Sequence, residues 1–148
     1  MKHKQHPLVI LLILGALTTI TPFSIDMYLP SFQNIAEHLR STSAQVALSL
    51  SSYFIGLAVG QIFYGPVLDR YGRKLPLYVG LALYLLATVA CIYSVNVNAL
   101  ITIRLFQALG GCAASVASTA MVRDFFSPED SAKVFSRLML ILSVSPLL

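Results

Sequence analysis

Four stretches of this chain are each long and apolar enough to cross a bilayer, and a fifth begins before the sequence ends. A crossing takes about 20 helical residues. The runs predict helices over about 8–28, 46–68, 75–95 and 99–126, with an incomplete fifth over 134–148. Inside lipid the backbone must satisfy its own hydrogen bonds, and short connections make successive helices antiparallel neighbours. The fold class that follows is all-α, a polytopic transmembrane helix bundle. Composition agrees: 57% of the 148 residues are apolar and 11% charged, where a soluble domain carries roughly 25% charged residues. This excludes a soluble enzyme, a secreted disulfide scaffold and a disordered chain. Met1-Lys2-His3-Lys4 ahead of an apolar run resembles the start of a signal peptide. No small-residue cleavage site follows and the segment continues through Pro30, so a retained helix is expected.

The net charge of +4 does not point to nucleic acid, because the basic residues sit between apolar runs rather than on one soluble face. They set topology instead. Lys2, Lys4, Arg70, Arg73, Lys74, Arg123, Lys133 and Arg137 fall on one side of the predicted membrane, and only Arg40 on the other. Cytoplasmic connections carry the Lys/Arg excess, so the N-terminus is expected inside. The connection around 31–45 has room for a short amphipathic turn. Cys91 and Cys112 both lie within apolar runs, and no disulfide between them is expected.

Gly56-x-x-x-Gly60, with Ser49 and Ser52 at helical spacing, reads as a close-packing stripe on the second span, a substrate path being the other reading. Ionisable groups inside a membrane cost about 2.5–3.5 kcal/mol each, so they face a cavity or a partner. Asp26 and Arg104 are the two such groups. At 1.5 Å per residue they are expected roughly 6 Å and 9 Å below the same boundary. Polar stripes accompany both: Gly15, Thr18, Thr19, Pro22 and Asp26 on the first span, and Arg104, Gln107, Gly111, Ser115 and Ser118 on the fourth. A shared aqueous cavity is expected. A static ion pair, or an Asp26 simply wetted at the interface, are the alternatives.

Gly65-Pro66-Val67-Leu68-Asp69-Arg70-Tyr71-Gly72-Arg73-Lys74 is the most specific segment. A plain topology signal needs the bases but neither the glycines nor the aspartate. Gly65 would allow close backbone approach and Gly72 a turn with positive φ. This segment resembles the signature between the second and third helices of the major facilitator superfamily. Ser24-Ile25-Asp26-Met27-Tyr28-Leu29-Pro30, Gly60-Gln61-x-x-Tyr64-Gly65-Pro66, Arg104-x-x-Gln107-Ala108-x-x-Gly111 and Arg123-Asp124 are similar to the bicyclomycin-resistance (Bcr/CflA) branch of its drug:proton antiporters.

The resemblance implies the N-terminal part of a twelve-helix transporter with a central cavity that opens alternately to either side. The first six-helix bundle would be present in part, and the C-terminal half would be missing from this chain. It further implies a multi-pass protein of the bacterial inner membrane that exports small hydrophobic or cationic drugs against protons. Asp26, Tyr28, Arg104 and Gln107 would serve proton coupling or the substrate cavity. Gly65, Asp69, Arg70, Gly72, Arg73, Lys74 and Asp124 would form the cytoplasmic gate. No cofactor is expected, since the proton gradient supplies the drive. No enzyme chemistry is expected either: His3, His6 and His38 lack metal-ligand spacing, and no G-x-x-x-x-G-K-[ST] phosphate loop occurs. Two alternatives stay open, a truncated membrane fragment without activity and a major facilitator of other substrate specificity.

Overall fold

The computed structural model describes residues 7–125 together with Val134 and Ser136. The expected fifth helix over 134–148 otherwise lies outside the described residues, as do Lys2, Lys4, Lys133 and Arg137. Every regular element among the described residues is helical: α1 (Pro7–Asp26), a 3-10 turn (Leu29–Ser31), α2 (Phe32–His38), α3 (Ser43–Tyr71), α4 (Lys74–Ile92) and α5 (Val97–Phe125). Among the described residues, four helices are long and apolar enough to cross a membrane.

Local chemistry sets the boundaries. Thr42 and Gln45 form a capping box that starts α3: Gln45 N donates to Thr42 Oγ1 and Thr42 N to Gln45 Oε1, each at 3.3 Å. Asn96 Oδ1 accepts from Ala99 N at 2.7 Å and starts α5. Gly72 ends α3 with φ 78°, a conformation that L side chains avoid. The expected turn between the first two spans is the short helix α2, folded back onto α3. There Tyr28, Ala36, Val46 and Leu100 form an apolar cluster.

The helix α5 is the centre of the bundle. Half of its most apolar window is buried, 50%, against 33% for α3 and 17% for α4. It packs along α3, α4 and α1, while α3 and α4 touch each other little. Glycines let the backbones come this close. A Cβ on Gly56 would meet Leu105 O at 2.6 Å, and one on Gly110 would meet Tyr84 N at 2.5 Å and Gly80 O at 2.7 Å. Ser49, Ser52, Gly56 and Gly60 are all buried, so the small-residue stripe of α3 is a packing face. At the opposite end from α2, Leu14, Val122 and Val134 form a second apolar cluster.

Candidate functional site

Two polar constellations lie at opposite ends of α5. At the end carrying α2, Arg104 is 4% exposed, with its Cζ 3.6 Å from the Tyr28 ring centroid and 5.1 Å from that of Tyr53. A guanidinium removed from water gains most from such aromatic faces when it is desolvated. Nη1 donates to Gln107 Oε1 at 2.8 Å. Gln107 Nε2 then donates to Thr88 Oγ1 (2.8 Å), and Thr88 Oγ1 donates to Tyr84 O (2.7 Å). The amide has one possible orientation here, because arginine can only donate.

The turn after α1 is fixed by a second relay. Tyr28 Oη donates to Ser49 Oγ at 2.5 Å, and Ser49 donates to Val46 O at 2.6 Å. On α1, Ser24 donates to Ile20 O at 2.8 Å and accepts from Tyr84 Oη at 2.5 Å. Arg104 Nη2 reaches Ser24 O at 3.5 Å. Arg104 and Gln107, with Tyr28, line a cavity of about 480 Å³ between α2, the end of α4 and α5.

Asp26, the last residue of α1, is not among the residues that line this cavity. The face of α1 that meets α5 carries Thr21 and Ser24, with Thr21 Oγ1 3.5 Å from Gly111 O. Asp26 is two positions beyond Ser24, about 200° around a helix. Tyr53, Tyr84, Thr88, Ser24 and Ser49 belong to this site and the sequence reading did not single them out as site residues. Tyr53 was within reach, since it sits in register with Ser49, Gly56 and Gly60.

At the other end, Arg73 joins three elements. Its Nε donates to Asp124 Oδ2 at 3.0 Å and its Nη1 to Asp69 Oδ1 at 2.9 Å. The Asp124 contact, joined by Asp69, holds the Arg73 guanidinium above the usual arginine range. The partners are partly solvated, at 30%, 73% and 47% side-chain exposure for Arg73, Asp69 and Asp124. Exposed pairs contribute about 0.2–1 kcal/mol. They can open and close without a large barrier.

Two details of this segment differ from expectation. Gly65, Asp69 and Arg70 are on the last turns of α3, so the connection itself is only Gly72 and Arg73. A Cβ on Gly65 would meet nothing within 4 Å, so no close approach to another described residue occurs there. The positive φ expected at Gly72 is present. Arg70 leans over its neighbour Tyr71, 5.6 Å from the ring centroid, and Lys74 opens α4. Cys91 and Cys112 are both free thiols. Among the described residues no His/Cys/Asp/Glu cluster could hold a metal ion.

A sequence profile described as Major Facilitator Superfamily matches residues 14–148. An MFS-type transporter of Bacillus subtilis, YdgK, is 41% identical over 135 residues, covering 91% of this chain and 34% of the relative. The bicyclomycin resistance protein homolog of Haemophilus influenzae is 35% identical over 147 residues, covering 99% of this chain and 37% of the relative. Multidrug resistance protein MdtL of Escherichia coli is 35% identical over 133 residues, covering 90% and 34%. The chain thus spans about a third of the length of these curated relatives.

Proposed function

Since the chain belongs to the major facilitator superfamily, we propose that it is the N-terminal part of a proton-coupled multidrug efflux transporter of the bacterial inner membrane. Its relatives include proteins named for bicyclomycin and multidrug resistance, which supports drugs as the cargo. The chain matches about a third of them, so the activity is assigned to the full-length transporter. The Gly72 end faces the cytoplasm and the α2 end the outside, in accord with the eight-to-one bias of basic residues.

The observation that carries the reading is the pair of bonds from Arg73 to Asp69 and Asp124. They fasten the α3–α4 turn to the end of α5 and act as a latch on the cytoplasmic side. Alternating access requires contacts that differ between two states and are weak enough to exchange. The exposed latch meets that energetic condition.

Proton coupling is assigned to the α2 end. Asp26 is the acid that takes and releases the proton. Arg104 and Gln107 form the polar floor against which cargo is held, with Tyr28 and Tyr53 supplying aromatic walls. Coupling runs through movement of α1 against α5. Efflux of a fluorescent drug from cells expressing the full-length transporter, with and without an uncoupler, tests this. Loss of efflux on uncoupling is expected, and uncoupler-insensitive efflux would contradict proton coupling.

A further inference from the structure

The geometry points to the cavity under α2 as a site for carboxylate-bearing amphiphiles of drug size, with Arg104 as the group that recognises the carboxylate. This names a ligand class for the Arg104 floor and rests on the proposed reading in treating that floor as a ligand site. Ligand pockets are typically about 300–1,000 Å³ and mostly apolar, with a few placed polar groups. The cavity has about 480 Å³, with Ile35, Leu39, Ile92 and Leu100 as apolar wall.

Its charge is one-sided. Arg104 contributes a positive charge that is 4% exposed, and no described carboxylate lines the space. The guanidinium is also under-used. Nη1 is bonded to Gln107, Nη2 has only a long contact to Ser24 O, and Nε finds no acceptor among the described residues. A buried cation with no counter-ion among the described residues is costly. An incoming carboxylate removes that cost and gains charge-assisted hydrogen bonds, whereas an ammonium group is repelled. Cationic cargo would therefore be met on the Asp26 face of α1, and acidic cargo here.

Cys91 lines the same cavity and serves as the reporter. The full chain, carrying Cys112→Ala, would be placed in zwitterionic nanodiscs with 4-butylbenzoate, 4-butylbenzamide or 4-butylbenzylammonium. Protection of Cys91 from a maleimide would be measured against concentration. A thiol at exposed Leu86 on α4, introduced as Leu86→Cys with Cys91→Ala, serves as the control for membrane partition. After that correction the benzoate should protect at a concentration at least roughly tenfold lower than the ammonium, as expected for a charge-assisted bond. Arg104→Gln should abolish the difference. Equal protection by the ammonium, or a benzoate preference that survives Arg104→Gln, would overturn the inference. The wild-type charge series decides alone where Arg104→Gln does not fold. Drug efflux by the full-length transporter tests the underlying reading separately. Its absence, with charge-selective protection intact, would remove the transport role and leave the site.

Discussion

Arg73 Nε and Asp124 Oδ2 meet at 3.0 Å and join the α3–α4 turn to the far end of α5. Because Arg73 also holds Asp69 at 2.9 Å, one guanidinium links three helices through two exposed pairs. Each pair is worth about 0.2–1 kcal/mol, equivalent to at most about a fivefold change in the balance of two states. Asp69→Asn and Asp124→Asn are therefore expected to lower efflux by the full-length transporter several-fold while leaving insertion and Tm nearly unchanged. Wild-type efflux in both variants would show that the segment only sets topology.

The same latch has a predictable pH dependence on its basic side. Arg73 is raised by Asp124 and Asp69, so while both carboxylates are ionised its contribution is complete below the ordinary arginine range and is lost only as pH climbs through the raised value. A spin-label distance between Leu75→Cys and Phe125→Cys should accordingly stay constant from about pH 7 to about pH 10 in a Cys91→Ala, Cys112→Ala background. Alkaline opening in that window would assign the latch to another group.

Packing around α5 gives a stability contrast. A Cβ on Gly110 would lie 2.5 Å from Tyr84 N and 2.7 Å from Gly80 O, both backbone atoms that cannot turn aside. Gly110→Ala is expected to cost about 1–3 kcal/mol by overpacking. Gly65 has open space and lies within α3, so Gly65→Ala should be neutral to about 1 kcal/mol stabilising. Thermal unfolding in detergent would separate the two, and equal Tm values would mean that α4 and α5 are not in close contact.

The Tyr28 ring and hydroxyl have separable roles. Tyr28→Phe removes the bond to Ser49 and is expected to cost about 1 kcal/mol. Tyr28→Leu also removes the ring beneath Arg104 and should cost up to about 2 kcal/mol more. In a cycle with Arg104→Gln, the Leu variant should show coupling and the Phe variant little. Identical coupling for both would place the interaction in the hydroxyl.

Much of this architecture was legible because membrane spans need long apolar runs and connections need charge. Asp69 stood out beside Arg70, Arg73 and Lys74 because a plain topology signal needs no acid, whereas Asp124 entered only through the resemblance to the major facilitator superfamily. The α1 face toward Arg104 was not legible. Thr18, Thr19, Thr21, Ser24 and Asp26 place polar atoms around most of that helix, so spacing does not single out one face. Tyr28 lies beyond the end of α1, in the turn where helical periodicity no longer applies. The extension of α3 through Asp69 and Arg70 was hidden because charges at a membrane boundary read equally well as loop or as last helical turn.

Coupling of drug movement to proton movement is the central claim, and it can be measured in one assay. Full-length wild type and Asp26→Asn would be purified in weakly buffered detergent solution, and proton release on drug addition would be followed with a pH indicator. The account predicts release from wild type and none from Asp26→Asn, with drug binding retained in both. Equal proton release from the two proteins would remove Asp26 from the mechanism, and no release from wild type would contradict proton-coupled exchange itself.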